Sequence, residues 1–429
     1  MPSDALIDDA KEILRLNDRG TYTVPTSGLY PFQWNWDSAL SALGFSHFDE
    51  ARAWTEIDTL FASQWDDGMV PHIIFHEIDE GYYPGPDVWD TGRSIPTSGI
   101  TQPPVAGFAV KRIFDRAVNR DLAEARVRDL LPRIHAWHEW FFRCRDPDGT
   151  GLVAVIHPWE SGRDNSVDWD APFANVPTEG VAPFVRRDTQ HANPSHRPTD
   201  EQYKRYIWLL QRFRSLNWEN DKLHDASPFR VVDPGFNGIL LRSCADLAAL
   251  AERFGEHEIA RASRQRAETG VAALEGLWSD EFGQFICFDR AKGVPIQSAS
   301  IGGLLAAFAP ISESRAAALA RRVEQLSNHA SFLVPSHDPA APEFDSHRYW
   351  RGPVWLIVNT MIANGLERAG QKDVADRIRT DSVRLIRQSG FAEYYDPHTA
   401  EPCGGTQFTW TAAMVIETLM LHGHKALGH

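Results

Sequence analysis

The sequence predicts an all-α fold, an (α/α)6 toroid of six helical hairpins. Three observations carry this. Helical signals alternate along the chain between segments that are apolar almost all round and segments that are apolar on one face. No fixed repeat period is visible. The connections after several helices carry aromatic, carboxylate and glycine residues. A helix apolar on every side must be covered on every side, whereas an amphipathic helix covers a neighbour with one stripe. Alternating the two gives an inner ring wrapped by an outer ring. The rivals are two bundles or an open solenoid, and a solenoid would normally show a period.

In chain order, segment 3–16 opens at Ser3, a capping residue, and puts Leu6, Ile7, Ala10, Ile13 and Leu14 on one face. Residues 36–44 are more apolar, 49–63 amphipathic, 103–114 apolar, and 120–142 long and charged along one side. A helix is expected over 200–216. Asp233-Pro234 supplies a cap and a first-turn proline for an apolar helix through Leu250, which Gly255 stops. Residues 257–278 are polar outside, 299–309 apolar and 312–326 amphipathic. Gly352-Pro353 is expected to open an apolar helix running to Gly370, 372–388 is again polar outside, and an apolar helix over 409–421 closes the ring. Strands are nearly absent from this pattern.

The length of 429 residues would suit two or three average domains, but the alternation favours one closed catalytic domain over 1–429. The longest non-helical stretch, 145–199, is rich in Pro, Asp, Asn and His. It is expected to form part of an active-site rim, because loops of that length are usually functional or disordered. The other aromatic-acidic connections, Gln64–Gly68, Asp146–Gly149, Trp278–Gly283 and Tyr394–Pro397, would cluster at one rim around a funnel.

Lys and Arg number 43 and Asp and Glu 58, a net charge of −15, so the chain as a whole has no attraction for nucleic acid or an anionic membrane. No apolar run is long enough to span a bilayer, and no secretory leader is visible at MPSDALIDDAKE; a cytoplasmic protein is expected. Four cysteines without metal-ligand spacing point to reduced thiols. Fifteen tryptophans, with 23 Phe and 9 Tyr, exceed what a core needs. Indole rings suit sugars, whose C–H faces stack on aromatics while their hydroxyls need polar partners.

Four stretches mix aromatics with charge: Tyr30-Pro-Phe-Gln-Trp-Asn-Trp-Asp37, Trp159-Glu-Ser-Gly-Arg-Asp-Asn-Ser166, Tyr349-Trp-Arg-Gly-Pro-Val-Trp355 and Glu393-Tyr-Tyr-Asp-Pro397. Each is placed at a helix end or in a loop. Together they supply well-separated carboxylates within an aromatic, hydrogen-bonding cage. Glycoside hydrolysis needs this combination: one carboxylic acid protonates the leaving oxygen, and a second carboxylate activates water or attacks the anomeric carbon.

With QWNWDSAL, WESGRDNS, YWRGPVW and EYYDPHTAEPCGGTQFTWTAA in this order, the chain resembles glycoside hydrolase family 63, most closely its short bacterial branch of mannosylglycerate and glucosylglycerate hydrolases. The resemblance spans about residues 25 to 420 and corresponds to the catalytic barrel without the β-sandwich of longer members. It implies an inverting α-glycosidase with Asp164 as general acid and Glu393 as general base. It also implies a substrate site drawn from Tyr30, Gln33, Trp34, Trp36, Asp37, Gln102, Glu160, Tyr349, Trp350, Arg351 and Gln407. For the carboxylate of a glycerate aglycone the expectation is Arg205, with Arg163, Arg187 and Arg197 nearby. Asp66 and Asp396 are the remaining rival carboxylates. The expected substrate is α-glucosylglycerate or α-mannosylglycerate, with glucosylglycerol, kojibiose or trehalose as alternatives.

No metal or cofactor is expected. His72 and His76 with Glu77 have helical ligand spacing but no third ligand, and PHIIF reads as extended as easily as helical. Asp146–Gly149 echoes a calcium loop without its closing Glu, so a turn is expected. No nucleotide-binding glycine fingerprint is present. A different class of function, sugar epimerase or isomerase, would place a histidine pair such as His337 and His347 in the funnel. A binding module would lack turnover.

Overall fold

The computed structural model describes residues 3–186 and 193–423. Six helices form the inner ring: Asn35–Phe45, Ala106–Arg116, Pro234–Phe254, Ile301–Leu305 extended by the 3-10 turn Ala306–Phe308, Leu356–Arg368 and Thr409–His422. Each packs on the next, and Thr409–His422 closes the circle against Asn35–Phe45. Six more helices wrap it: Ser3–Leu16, Glu50–Ala62, Arg120–Arg145, His257–Leu274, Glu313–Leu326 and Lys372–Ser389. This is the (α/α)6 toroid, and burial follows the alternation. Every residue of Thr409–Leu419 is buried, whereas His257–Leu274 buries only the stripe Ala260, Ser263, Ala267, Gly270 and Leu274. The ring closes tightly at Gly44, where a Cβ would come within 2.9 Å of the Ala413 backbone.

The punctuation residues act as their chemistry dictates. The Asp233 side chain accepts from the Gly235 N–H, with Pro234 in the first turn, and Gly255 ends the helix at φ 78°. Two expectations need correction. Pro103-Pro104 delays the second inner helix to Ala106, since the residue before a proline is disfavoured in helical geometry. The fifth inner helix starts at Leu356, not at Gly352-Pro353, because Val354 exchanges backbone hydrogen bonds with Tyr395 and holds 352–355 extended. Strands are few and short, as the pattern predicts; they include the hairpin of Ala392–Tyr395 with Pro402–Thr406 and a four-stranded sheet of two-residue strands.

The long excursion between Arg145 and Pro234 contains the 3-10 turns Pro158–Ser161, Val167–Trp169 and Pro194–His196, and the helices Asp170–Phe173, Asp200–Arg214 and Asn220–Ala226. It passes over the end of the ring where the inner helices begin. At the opposite end, where they finish, Glu417 accepts two hydrogen bonds from Arg116 (2.7 and 2.9 Å) and lies 2.7 Å from His47, tying three inner-helix segments together. No helix among the described residues is long and apolar enough to cross a membrane.

Candidate active site

Two connected chambers open at the N-terminal ends of the inner helices. The inner one, about 390 Å³, is walled by Trp34, Trp36, Asp37, Gln102, Gly162, Phe408 and Trp410. The outer one, about 690 Å³, is walled by Tyr82, Tyr83, Trp159, Arg197, Tyr203 and Tyr206. Tyr30, Trp34, His72, Asp164 and Tyr349 belong to both, so they mark the throat. Aromatic walls with a few convergent polar groups are the composition of a small-ligand site.

Asp164 reaches the throat from the loop after the 3-10 turn Pro158–Ser161. That turn ends at Gly162 with φ 69°, and a Cβ there would lie 2.7 Å from the Trp36 ring, so glycine is required twice over. The Asp164 carbonyl accepts from the Tyr206 hydroxyl at 2.7 Å, and the Arg163 carbonyl accepts from the Trp169 indole at 2.6 Å.

Glu393 comes from the opposite wall, on the hairpin strand Ala392–Tyr395 rather than a helix end or loop. It is fully buried, and both carboxylate oxygens are held. Oε1 accepts from the Tyr349 hydroxyl at 3.0 Å and the Tyr30 hydroxyl at 3.1 Å; Oε2 accepts from the Gly405 N–H at 2.9 Å and Arg197 at 3.3 Å. Burial pushes both tyrosines well above their usual pKa, so their hydroxyls remain donors. Glu393 thus stands one hydroxyl behind the throat, while its charge and that of Asp164 both act on Tyr349 and Asp37.

Asp37, in the first turn of the first inner helix, is pushed well above the ordinary carboxylate range, first by burial and then by the charges on Glu393 and Asp164. Its Oδ1 has no partner. Burial, with help from His157, lowers His72 well below its usual pKa, so its ring is neutral; its Nδ1 is also unpartnered. Burial pulls Arg197 down, but its contacts with Tyr30 and Glu393 outweigh it and keep the guanidinium charged. Arg197 donates to Tyr30 at 3.1 Å and lies over the Tyr349 ring.

Of the residues singled out from the sequence, Tyr30, Trp34, Trp36, Asp37, Gln102, Asp164 and Tyr349 line the chambers, and Glu393 lies directly behind them. Gln102 also accepts from the Trp36 backbone N–H, fixing the start of the helix. The others lie elsewhere. Gln33 is buried against Ser38, Glu56 and His76, supporting the helix from behind. Glu160 holds the buried Arg145 at 2.7 Å and caps the Ile156 N–H. Trp350 stacks on Trp355 with ring centroids 3.9 Å apart, away from the chambers. Arg351 pairs with Asp170, and Gln407 is exposed. Arg205 is bound to Glu201 one turn earlier on its own helix; Arg197, eight residues before it, is the arginine that lines the outer chamber among the described residues. Arg187 lies outside the described residues.

The rivals are also placed. Asp66 is exposed and pairs with Arg93, and Asp396 caps the backbone N–H groups of His398 and Thr399. Ile73–Ile74 is extended, so His72 and His76 are not one helical turn apart; His76 meets Gln33 while His72 lines the chambers. Asp146 closes its turn by accepting from Thr150 and Gly151. Neither His337 nor His347 lines a chamber; among the described residues His72 does. His72, Trp159 and Trp410 were not singled out for the site, although the last two flank or lie within the carboxylate motifs.

Comparisons with known proteins bear on this geometry. The family model described as the mannosylglycerate hydrolase MGH1-like glycoside hydrolase domain matches residues 30–411. A mannosylglycerate hydrolase MGH1 of Selaginella moellendorffii is 45% identical, covering 96% of this chain and 85% of its own. A glucosylglycerate hydrolase of Mycolicibacterium hassiacum is 35% identical, covering 96% of each chain. The crystal structure of a GH63 mannosylglycerate hydrolase from Thermus thermophilus in complex with Tris and D-glycerate superposes with a TM-score of 0.93 at 45% identity, covering 96% of this chain and 99% of that one.

Proposed function

We propose a reaction for this protein from one premise: the chain belongs to the mannosylglycerate hydrolase MGH1-like glycoside hydrolase family and is a glycoside hydrolase. It hydrolyses the α-glycosidic bond of a small glycoside with an acidic aglycone, an α-mannosyl or α-glucosyl glycerate, with inversion. The observation that carries this reading is the position of Asp164 at the throat between an aromatic inner chamber and an outer chamber holding a charged arginine. The sugar ring fills the inner chamber, with faces on Trp34 and Trp36 and hydroxyls on Asp37 and Gln102. The glycerate carboxylate meets Arg197, whose planar fork suits a carboxylate. The scissile oxygen then lies at the throat.

Asp164 gives its proton to that oxygen as the bond breaks. Water entering beside the Tyr30 and Tyr349 hydroxyls attacks the anomeric carbon from the other face and gives its proton to Glu393. Inversion requires the two carboxyls to stand about 6.5–9.5 Å apart so that water fits between them. The family names support both mannose and glucose, which differ at the C2 hydroxyl. A neutral aglycone would offer Arg197 no second carboxylate beside that of Glu393. We place the reaction in the cytoplasm, where the four buried, unbridged cysteines would stay reduced.

The test is a hydrolysis panel of mannosylglycerate, glucosylglycerate, glucosylglycerol, kojibiose and trehalose, with the first-formed anomer read by proton NMR. Glycerate glycosides should be preferred and release the β sugar. Asp164→Ala and Glu393→Ala should each lower kcat by about 10³-fold. Arg197→Met should raise KM for the glycerate glycoside about 30-fold and leave KM for the neutral glucosylglycerol within about 3-fold. Release of the α sugar first, or a near-normal rate in either carboxylate variant, rejects the mechanism.

A further inference from the structure

The residue next to Asp164 does not face the substrate. The Arg163 side chain turns away from the chambers and is buried between two inner-helix starts, only 1% exposed. Its Nη1 donates to Ser166 at 3.0 Å, to Asp168 at 3.0 Å and to Ser300 at 3.2 Å. Its Nη2 lies 2.9 Å from Asp233, an ion contact rather than a well-aligned hydrogen bond. Asp233 caps Pro234–Phe254, and Ser300 caps Ile301–Leu305 and also bonds Asp168. The guanidinium therefore rests on the N-terminal caps of two neighbouring staves of the barrel. Gly302 gives it room, since a Cβ there would collide with Nη2. Burial pulls the Arg163 pKa down, but the charges of Asp233 and Asp168 outweigh it and hold it above its ordinary value.

On the backbone side the same tripeptide is pinned again. The Arg163 N–H donates to Ser161 at 3.0 Å, and its carbonyl accepts from Trp169 and from the Ser166 N–H. A loop carrying a proton donor must hold it close to its target, because displacements near 1 Å cost large factors in rate. An arginine buried between two carboxylates is a costly way to fill space, since replacing such a group with apolar side chains is often neutral or stabilising.

We propose that Arg163 is a positioning residue for the general acid: it locks the Asp164 loop to the caps of two inner helices and so holds the proton donor at the glycosidic oxygen. The inference rests on the reading of Asp164 as the acid. It acts on one half of the reaction only, because the water side is built on the separate hairpin that carries Glu393.

A glycosyl fluoride tests this, since its leaving group departs without a proton from a carboxylic acid. The kcat of wild type, Asp164→Ala, Arg163→Lys and Ser300→Ala is measured on the preferred glycerate glycoside and on the α-fluoride of the same sugar, with thermal melts run beside them. Arg163→Lys should lose about 100-fold on the glycerate glycoside and less than about 3-fold on the fluoride. Ser300→Ala, which removes one hydroxyl from the Arg163–Asp168 contact, should lose about 5-fold on the glycerate glycoside and nothing on the fluoride. Equal losses on both substrates, or a change in KM alone, overturn the proposal. If Arg163→Lys does not fold, Ser300→Ala decides by the same rule. If Asp164→Ala itself falls equally on both substrates, the acid reading fails and takes this inference with it. If Asp164→Ala spares the fluoride while the other two do not, only the inference fails.

Discussion

Asp37 and Glu417 are both buried carboxylates on inner helices, at opposite ends of the ring, and their chemistry is driven in opposite directions. Asp37, at the mouth, is pushed well above the ordinary range, by burial first and by the charges of Glu393 and Asp164 next. Glu417, at the far end, is brought down to about 2: burial would raise it, but hydrogen bonds from His47 and Arg116 and the Arg116 charge outweigh burial. The difference is the supply of a partner. The far end gives its carboxylate a two-point arginine contact. The mouth gives Asp37 no cation and leaves one oxygen unpartnered, as it does Nδ1 of His72. Burial alone is therefore no measure of how settled a charge is. The far end meets Glu417 with protein partners, whereas the mouth leaves one oxygen of Asp37 and one nitrogen of His72 with hydrogen-bonding capacity unused.

The comparison breaks most visibly in activity. If Asp37 is reserved for sugar hydroxyls, Asp37→Asn should lower kcat/KM by about 10³-fold, the loss of two charge-assisted hydrogen bonds at about 2 kcal/mol each. A loss under about 3-fold in steady-state assays would mean that the mouth is unsatisfied for some other reason.

Glu417→Gln should do the reverse. Its folded pKa lies below the ordinary 4.5, so its contribution to stability is complete above about pH 4.5 and is lost as the pH falls toward about 2. A depression from 4.5 to about 2 corresponds to about 3 kcal/mol. Urea titrations should show that deficit in the variant at pH 7, narrowing below pH 4.5, while kcat at 25 °C stays within about 2-fold. A deficit that does not depend on pH would show that packing, not charge, holds the far end.

The ring was more legible in the sequence than the details of its two ends. Whether a helix is apolar all round or on one face is a local property, so the twelve ring positions follow from periodicity, and Asp233-Pro234 and Gly255 act through their own backbone geometry. The Glu393 hairpin reads as a helix end or loop because strands of four and five residues carry little periodicity; their own pairing, and that of Tyr395 with Val354 at the start of the neighbouring inner helix, fix them. That same pairing moved the start of the fifth inner helix. Arg205 is the expectation because the family resemblance implies an aglycone-binding Arg beside the tyrosines of this stretch, yet its side chain turns back onto Glu201 along its own helix. Arg197 precedes the helix cap at Thr199, where the chain direction is set by tertiary contacts such as the Tyr349 N–H to His196 carbonyl bond. Trp350 and Arg351 carry the motif's charge and aromaticity, but a ring stack and the Asp170 ion pair use them up inside the protein.

The smallest effect expected from the comparison is also the most direct, because it is read without substrate. The folded pKa of Asp37 lies above the unfolded value, so over the interval between the two the folded protein holds a proton that the unfolded chain has released. Stability then falls as pH rises through that interval, and at neutral pH the carboxylate is a standing penalty on the fold. Asp37→Asn removes the penalty. It should raise stability at pH 7 by about 1 kcal/mol and Tm by about one to two degrees, in the same variant that loses activity. Calorimetry at stepped pH should show the gain shrinking as the pH falls through 3.8, well below which the wild-type side chain is neutral in both states. A variant no more stable than wild type at pH 7 would show that the mouth already compensates Asp37, and the contrast with Glu417 would lose its electrostatic basis.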